Sequence, residues 1–585
     1  MAINNPYIPG DPYSYDLKWI IAKVKEILLQ LGSLDETIEK KIFEGFVEHS
    51  IVQFHNVADM LAADIKDGSI VLTLGYYEAG DQGAMFYLIK DFNPGQCALD
   101  YFLTMDNNAQ IAIPVIVTPY VTPQMFGAKA DGTTNDHDAL QLALDHSFYV
   151  IVPNGNYYLE EGVTIPEHCL MEGTGEAAIW RGANGFALIQ MGDYTTIDNV
   201  IVYGKGNRNP YEDQNDREIA AIDCTGATIK NCHVYNADYA AIWAENAVNI
   251  VIDNNHVEHY GHAGILIRDA SRNVKVTNNT VKYGDDVVTP NRYAIMLSTG
   301  ETEKTIGCVC TGNYVEDQTA YWEGIDAHCI DDAVISDNVI INCLTGISIV
   351  NRDSYPAVTS DNVVITGNSI EQKTDHNYGN NSCYGIVYQS AGTIPAVISG
   401  NTLKNTGMAS TTPIDKGGVK VRGNAVVTGN TIHINGGRCF RLESTKNNGC
   451  VMKELLVQSN IANANGGLGV DMYNSAATDI QGTIEGNTFM NCSTAFSGFT
   501  NHLETSYQAG VFAKNNELIN VTTVIVQNVR GAYCDLQTAY PAAGCGRKGA
   551  FVKNSAFNGS GIIGWICTAD PVPGSTAAVW ASVTV

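Results

Sequence analysis

The sequence predicts an all-β protein in which short strands stack as coils of a β-solenoid, preceded by a short helical segment and a small β module. Two observations predict the solenoid. An Asn-centred motif recurs every 24 to 34 residues from about residue 228 onward, and a second strand motif, often beginning Gly-Ile, follows about a dozen residues after each Asn. The chain is also rich in turn-forming glycine, with 56 in 585 residues.

Composition excludes several classes of protein and partner. The chain has 34 Lys+Arg against 62 Asp+Glu, a formal net charge of −28, which argues against nucleic acid and anionic membrane as partners. Only 16% of residues are charged and 45% are hydrophobic, which excludes disorder, coiled coil and collagen. The first residues have no basic segment followed by an apolar run, and no apolar stretch reaches about 18 residues, so we expect neither a secretion signal nor membrane insertion.

The N-terminal region is predicted to hold an extended arm followed by two helices. Prolines and a glycine interrupt residues 1–14. Apolar residues then recur at spacings of 3 and 4 up to Gly32, and a capping box of Ser33 and Glu36 begins a second helix. Two interpretations remain open, a helical hairpin packed on its own domain and helix packing between subunits.

A small β module and a capping helix are predicted before the repeats. Alternating apolar residues punctuated by glycines predict short strands within residues 57–120. A linker is expected at about 118–124, and Asn135 and Asp136 are expected to cap an amphipathic helix. One such helix before a long β region can cover the open end of a solenoid.

The Asn-centred motif is predicted to mark one coil per repeat. Asn tolerates the left-handed backbone of a sharp bend, and stacked Asn side chains can hydrogen-bond from coil to coil. Propeller blades need 40 or more residues, so these repeats are too short for them. The motif positions are Asn255, Asn279, Asn313, Asn338, Asn368, Asn401, Asn430, Asn460, Asn487 and Asn516.

The second strand motif predicts which side chains face outward. Alternate residues of a strand point to opposite sides, so in GILIR or GIDAH the Ile faces the interior, and the next residue and the one two further on face out. Coils about 4.8 Å apart turn these positions into one stripe. The stripe is either a solvated face or a binding surface for a long chain-like ligand, and its Trp, Leu and Met side chains favour the ligand. Expected substrate-binding residues are Trp243, Glu245, Arg268, Tyr293, Gln389 and Arg441.

Catalysis is assigned to Glu323, Asp326 and His328. Ala327 occupies an inward position, so Asp326 and His328 project together. A carboxylate and an imidazole can act as general acid and base, and Glu323 adds the second carboxylate needed for glycosidic cleavage. The alternative for His328 is a hydrogen-bonded surface histidine.

Two other clusters were weighed. His256, Glu258, His259, Tyr260 and His262 are typical metal-ligand types, but strand alternation sends them to different sides, so no metal site is expected.

Glu443 and Asp471 on adjacent coils could form a carboxylate pair, although Arg441 and Lys420 nearby favour an ion-pair network. No phosphate-binding or cofactor motif occurs, so no cofactor is expected, and the 15 cysteines are interpreted as buried thiols.

Three segments resemble a known family. MFGAKADGTTNDHDALQLAL resembles the opening motif of pectate-lyase-like right-handed β-helix proteins. Combined with the upstream DMLAADIKDGSIVLTLGYYEAGDQGAMFYLI it is similar to bacteriophage tailspikes, and the ending GIIGWICTADPVPGSTAAVWASV resembles a terminal piece of phage fibre and spike proteins. The resemblance implies a right-handed parallel β-helix, a homotrimer, attachment to phage tail or collar proteins through residues 1–120, and a virion protein that acts outside the host cell on a host surface polysaccharide.

The resemblance also bears on the reaction. Family members that are epimerases or lyases carry a Gly-x-Asp-x-His stretch similar to Gly324 to His328, but the lyases' Arg/Lys base and calcium-binding Asp cluster have no clear match here. A glycoside hydrolase is therefore favoured over a lyase. The alternatives are a non-enzymatic glycan-binding spike and a polysaccharide lyase or epimerase.

Four regions follow from these arguments. Residues 1–56 form a virion anchor, 57–120 a small β module, 121–530 the right-handed β-helix that binds and cleaves the polysaccharide, and 531–585 a C-terminal β cap or trimerisation segment.

Overall fold

A computed structural model describes most of the chain between residues 51 and 584. The described residues are 51–92, 101–206, 215–284, 292–299, 303–318, 323–351, 358–372, 383–406, 416–444, 454–474, 481–497, 510–525, 532–534, 536–537, 551–554, 562–569 and 579–584. The predicted arm and helices of residues 1–50 lie outside them. Described residues up to Ala183, with Leu188–Val202, form one compact unit, and Asn184–Ala187 with those from Tyr203 onward form another. The four predicted regions stay predictions.

The first unit begins with the predicted β module. Helix α1, Val57–Leu61, starts at Asn56, whose side chain accepts a hydrogen bond from the Asp59 backbone. The module's five-stranded sheet has Val71, Tyr87 and Ile113 in its core. Its strands, in spatial order, are Val52–Phe54, Ile70–Thr73, Met85–Asp91, Gln110–Val115 and Leu103–Thr104.

Segment 118–124, predicted as a linker, is held to the module by specific contacts. The Thr122 hydroxyl donates to the Gln82 carbonyl at 2.9 Å. The Tyr77 hydroxyl donates to the Gly127 carbonyl, also at 2.9 Å, next to the 3-10 helix Pro123–Phe126.

The predicted capping helix follows as α2, His137–His146, and buries Leu140 and Leu144. Its N-cap residue Asp136 accepts hydrogen bonds from the Lys129 and Ala130 backbones rather than from its own helix. Short parallel strands complete this unit. They are Asp131–Asn135, Tyr149–Val152, Gly155–Leu159, Val163–Ile165, Leu170–Gly173, Ala177–Arg181, Ala187–Met191, Thr196–Asp198 and Ile201–Tyr203.

The second unit is a parallel β-helix with three sheets. Each coil contributes one strand to each sheet, and every strand pairs in parallel with the equivalent strand of the next coil. Sheet 1 contains Thr228–Lys230, Val251–Asp253, Lys275–Thr277, Val309–Thr311, Val334–Ser336, Val364–Thr366, Ala396–Ser399, Ala425–Thr428, Leu455–Gln458, Gln481–Glu485, Gly510–Lys514 and Ala532–Cys534. Sheet 2 contains His233–Ala237, His256–Tyr260, Thr280–Gly284, Tyr314–Gln318, Val339–Ile341, Ser369–Glu371, Thr402–Lys404, Thr431–His433, Ile461–Asn463, Thr488–Met490 and Glu517–Ile519.

Sheet 3 carries the Gly-Ile strand motif. Its strands are Arg217–Ile222, Ala240–Glu245, Ala263–Arg268, Tyr293–Leu297, Glu323–His328, Thr345–Val350, Cys383–Gln389, Lys416–Arg422, Arg438–Ser444, Leu468–Asn474, Thr494–Ser497 and Thr523–Ile525. Further strands are Thr305–Ile306 with Ile330–Asp331, and a C-terminal sheet of Leu536–Gln537, Phe551–Asn554, Ile562–Ala569 and Val579–Thr584. The inward Ile, Val and Leu side chains of the coils have almost no exposed surface.

The ten motif asparagines form one buried ladder, as predicted. Each Nδ2 donates to the Oδ1 of the next Asn at 2.8 to 3.0 Å, and that Oδ1 also accepts the preceding Asn's backbone N–H. The left-handed backbone lies one residue earlier than expected. Asn254, Gly312 and Asp337, for example, have φ of 53°, 68° and 54°, whereas the ladder residues after them do not adopt positive φ. The ladder Asn are therefore selected by their amides.

Ten described cysteines, including Cys308 and Cys310, are free and buried. Burial raises the pKa of the Cys308 thiol to about 12, so it is held as an unreactive thiol. Among the described residues, no helix is long and apolar enough to cross a bilayer.

Candidate active site

The outward side chains of sheet 3 line up from coil to coil, and we call this surface the sheet-3 face. The predicted register is confirmed from Trp243 to Asp471. The paired column runs Trp243, Leu266, Met296, Asp326, Ser348, Val387, Lys420, Arg441 and Asp471. A parallel column two residues further on includes His328, Val350, Gln389 and Arg422.

A break in strand alternation brings Glu323 to the same face as Asp326. Gly324 and Ile325 both face the interior, since a Cβ on Gly324 would lie 2.8 Å from Ile340 Cγ2 and from the Gly346 carbonyl oxygen. Glycine is required here because a larger side chain would meet packed core and backbone. Glu323, one residue earlier, is thereby turned outward beside the Asp326 carboxyl.

The three predicted catalytic residues lie together on one strand, Glu323–His328. His328 Nε2 is 3.0 Å from Asp326 Oδ2, and Asp326 is only 1% exposed. The Glu323 Oε2 atom is buried and meets no hydrogen-bond partner among the described residues.

Burial and the neighbouring Asp326 carboxylate raise the pKa of Glu323 well above its usual value, and a hydrogen bond with Ser348 opposes part of the rise. Two neighbouring carboxyls, one of them held protonated, are the groups that acid-assisted cleavage of a glycosidic bond requires.

Trp243 is placed differently from the sequence expectation. Its ring has 0% exposure because the Arg217 guanidinium lies over it, 4.0 Å from the ring centroid, with Arg268 at 5.4 Å. Its Nε1 donates to Glu245 Oε2 at 2.8 Å, and Arg217 contacts the same oxygen at 3.5 Å. The indole therefore supports Arg217 and Leu266 instead of presenting an open face to a ligand. Glu245 and Arg268 remain partly exposed.

Tyr293 stands beside the catalytic strand in an aromatic group that the sequence analysis missed. The register pairs Ile295 with Ile325, which places Tyr293 next to Glu323. Tyr293 is 6% exposed and meets His262 edge-on at 5.4 Å, and His262 stacks on Tyr239 at 4.7 Å. Tyr239 and His262 each directly precede a sheet-3 strand. That position gave no periodic signal, because the strand motif was read only from its Gly-Ile start.

A cationic group occupies the other end of the sheet-3 face. Glu443 Oε2 accepts from Arg422 at 2.8 Å and from Arg441 at 3.3 Å, and Lys420 Nζ lies 3.9 Å away. Arg422 also donates to Gln389 Oε1 at 2.6 Å. Gln389 and Arg441, both predicted to bind substrate, are therefore members of one polar network.

The other two candidate clusters do not form reactive groups in the structure. Asp471 is ion-paired to Arg438, so Asp471 and Glu443 have separate cationic partners, as the ion-pair interpretation requires.

In the histidine cluster, His256 contacts Glu258 at 2.7 Å on sheet 2, whereas His259 stacks on Tyr283. Across the part of the chain that the structure describes, no group of three or more His, Cys, Asp or Glu is arranged to hold a metal ion.

Sequence comparison supports the fold and identifies relatives. The family model for the right-handed β-helix region matches residues 154–308 and 219–426. Together with the parallel sheets, this match confirms the predicted right-handed parallel β-helix.

The chain is 23% identical over 320 residues to the pre-neck appendage proteins of Bacillus phages phi29 and PZA, covering 51% of this chain. The chain spans about a third of those relatives' length, 34%. The predicted resemblance to phage β-helix proteins is confirmed.

Solved structures with a similar fold include two phage proteins. Gene product 12 of bacteriophage phi29 in its pre-mature form has a TM-score of 0.47 and 16% identity, with coverage of 70% of this chain and 57% of that one. The tailspike of Acinetobacter baumannii phage AM24 has a TM-score of 0.45 and 15% identity, with coverage of 66% and 65%. The α-1,3-glucanase of Streptomyces thermodiastaticus has a TM-score of 0.43 and 14% identity, with coverage of 73% and 74%.

Proposed function

We propose that the chain is a phage tailspike that binds a host-surface polysaccharide along the sheet-3 face and hydrolyses one of its glycosidic bonds. The observation that carries the proposal is the pair of neighbouring carboxyls, Glu323 and Asp326, halfway along a continuous outward column. The similarity to pre-neck appendage proteins supports a place on the phage particle.

In this proposal Glu323 is the general acid. Its raised pKa keeps a proton on the carboxyl near neutral pH, and that proton passes to the glycosidic oxygen as the bond to the anomeric carbon breaks. Asp326 acts on the anomeric side, either as the base that deprotonates the attacking water or as the nucleophile. His328 contacts Asp326 at 3.0 Å and orients it. Water adds across the bond, so one new reducing end appears per cleavage.

The remaining roles follow from position. Glu245, Arg268, Tyr293, Gln389 and Arg441 are proposed to bind the polysaccharide on either side of the carboxyl pair, with Trp243 supporting Arg217 and Leu266 from beneath. Residues 1–120 are proposed to attach the chain to tail or collar proteins, and three copies to form the spike.

The test is to incubate the full chain with purified capsular polysaccharide of the host and to measure both new reducing ends and absorbance from unsaturated uronate. We expect reducing ends without unsaturation. Glu323→Gln and Asp326→Asn should each lower the rate about 10²- to 10⁴-fold. The matched control is Glu371→Gln, an acidic residue of sheet 2 that pairs with Lys404 away from the site, and it should retain activity. Retained cleavage in both site variants would show that the residues are misassigned, and unsaturated products would show a lyase.

One observation favours a second candidate, a spike that binds glycan without cleaving it. Asp326 is 1% exposed and Trp243 is fully buried, so neither is openly presented to a ligand. A binding-only spike would retain affinity for the polysaccharide while polymer size stays unchanged, an outcome that would reject hydrolysis.

A further inference from the structure

Resting on the proposed function, we infer that Lys420, Arg422 and Arg441 form an anion-binding subsite on the sheet-3 face. Its ligand is an anionic substituent of the polysaccharide, a carboxylate, sulfate or phosphate. The inference names the substrate class as an acidic polysaccharide, which the catalytic pair alone does not determine.

The first argument is charge. Lys420, Arg422, Arg438 and Arg441 are accompanied by the carboxylates of Glu443 and Asp471, which leaves a formal charge of +2 among these six side chains in a chain of −28. The side chains of Lys420, Arg441 and Glu443 are 8%, 9% and 5% exposed. Placing surplus positive charge in a mostly buried position is unfavourable unless an anion offsets it.

The second argument is the geometry of Arg422. Its two terminal nitrogens donate to Gln389 Oε1 at 2.6 Å and Glu443 Oε2 at 2.8 Å, which fixes the plane of the guanidinium. Its Nε is buried and has no hydrogen-bond partner among the described residues. With 21% of its side chain exposed, it is also the most accessible of the four cations. A fixed guanidinium with an available donor suits the planar or tetrahedral oxygens of an anion.

The third argument is position relative to the carboxyl pair. Asp326, Ser348, Val387 and Lys420 occupy successive coils of the same column, so Lys420 lies about 14 Å from Asp326 along the axis. The two intervening coils present small neutral side chains. A polysaccharide lying along the face would therefore place a different sugar unit at each site, and the cations would not sit against the reacting bond.

The alternative is an ion-pair network with a purely structural role, and binding of small anions separates the two. Isothermal calorimetry at low ionic strength would titrate the full chain with galacturonate, inorganic sulfate and inorganic phosphate, with neutral galactose as the control sugar. The three anions distinguish the sources of the charge. We expect about one binding event per chain for at least one anion, none for galactose, and weaker binding as salt is raised.

Arg422→Gln should weaken the bound anion at least tenfold, and Lys404→Gln, the same change on sheet 2, should leave its affinity unchanged. If Arg422→Gln does not fold, Arg422→Lys keeps the charge but loses the fork and should still weaken binding severalfold. Absence of binding by all three anions, or unchanged affinity in the Arg422 variants, would overturn the subsite. Anion binding without any polysaccharide cleavage would reject only the proposed hydrolysis, and cleavage of a neutral polymer without anion binding would reject only the subsite.

Discussion

Replacement of one ladder asparagine, Asn430→Ala, should destabilise the β-helix strongly. Asn430 is 1% exposed, and its Nδ2 donates to the carbonyls of Ile398 and Thr428 and to Asn460 Oδ1 at 2.9 to 3.2 Å. Its Oδ1 accepts both the backbone N–H and the side-chain amide of Asn401, at 3.0 and 2.9 Å. The substitution removes all five of these hydrogen bonds from a buried position.

The size of the effect follows from which groups lose a partner. The Asn401 amide group still has the Ile365 carbonyl, and Asn460 Oδ1 still accepts the residue 430 backbone N–H. The Asn401 backbone N–H, however, loses its acceptor inside the coil, which costs about 1 to 3 kcal/mol. The other lost hydrogen bonds contribute about 0.5 to 1 kcal/mol each, so we expect a loss of roughly 4 kcal/mol in the free energy of unfolding.

Urea unfolding followed by far-UV circular dichroism measures this change. The matched control is Asn435→Ala, since Asn435 is an exposed asparagine whose amide also stacks with Asn405 and Asn465 on neighbouring coils. The control should change stability by no more than about 0.5 kcal/mol. Equal stability of the two variants would refute the view that buried amide pairing, rather than the mere presence of Asn at a turn, holds adjacent coils together.

Three further predictions concern the site and the assembly. Glu323→Gln should be increasingly stabilised relative to the parent as pH rises above about 4.5, because a carboxyl whose folded pKa exceeds its unfolded value contributes stability that is lost as pH rises; urea midpoints from pH 4 to 9 check this, and a constant difference would contradict it. Trp243→Ala should destabilise by about 3 to 5 kcal/mol, and Trp180→Ala, at an indole that is 37% exposed, by clearly less; similar urea midpoints would argue against Trp243 as a buried support. The full chain should sediment as a trimer in analytical ultracentrifugation, and a monomer at micromolar concentration would reject the proposed assembly.

The coil positions were predictable because the Asn repeat and strand alternation are local periodic signals. One ladder residue per coil fixes where each coil begins, and two-residue alternation from the inward Ile then decides which side chains reach the sheet-3 face. That reasoning placed Asp326 and His328 on one side of their strand. It also placed Lys420 opposite Arg441 in the next coil, as the structure has them.

Features set by contacts between coils were not predictable in the same way. Trp243 was expected to be open, but Arg217 from the preceding coil covers it, and no spacing in the sequence encodes a side chain bending over its neighbour. Glu323 breaks strict alternation because Gly324 is pressed against Ile340. The left-handed residue lies before the ladder Asn because the ladder position is already committed to amide pairing.

The most direct test of the central claim is a crystal structure of the Asp326→Asn variant with an oligosaccharide derived from the host polysaccharide. The account predicts a chain lying along the sheet-3 face, with a glycosidic oxygen within hydrogen-bond distance of the Glu323 carboxyl and the sugar chain continuing toward Arg422. An oligosaccharide bound to sheet 1 or sheet 2, or one whose glycosidic oxygens all lie away from Glu323, would contradict it.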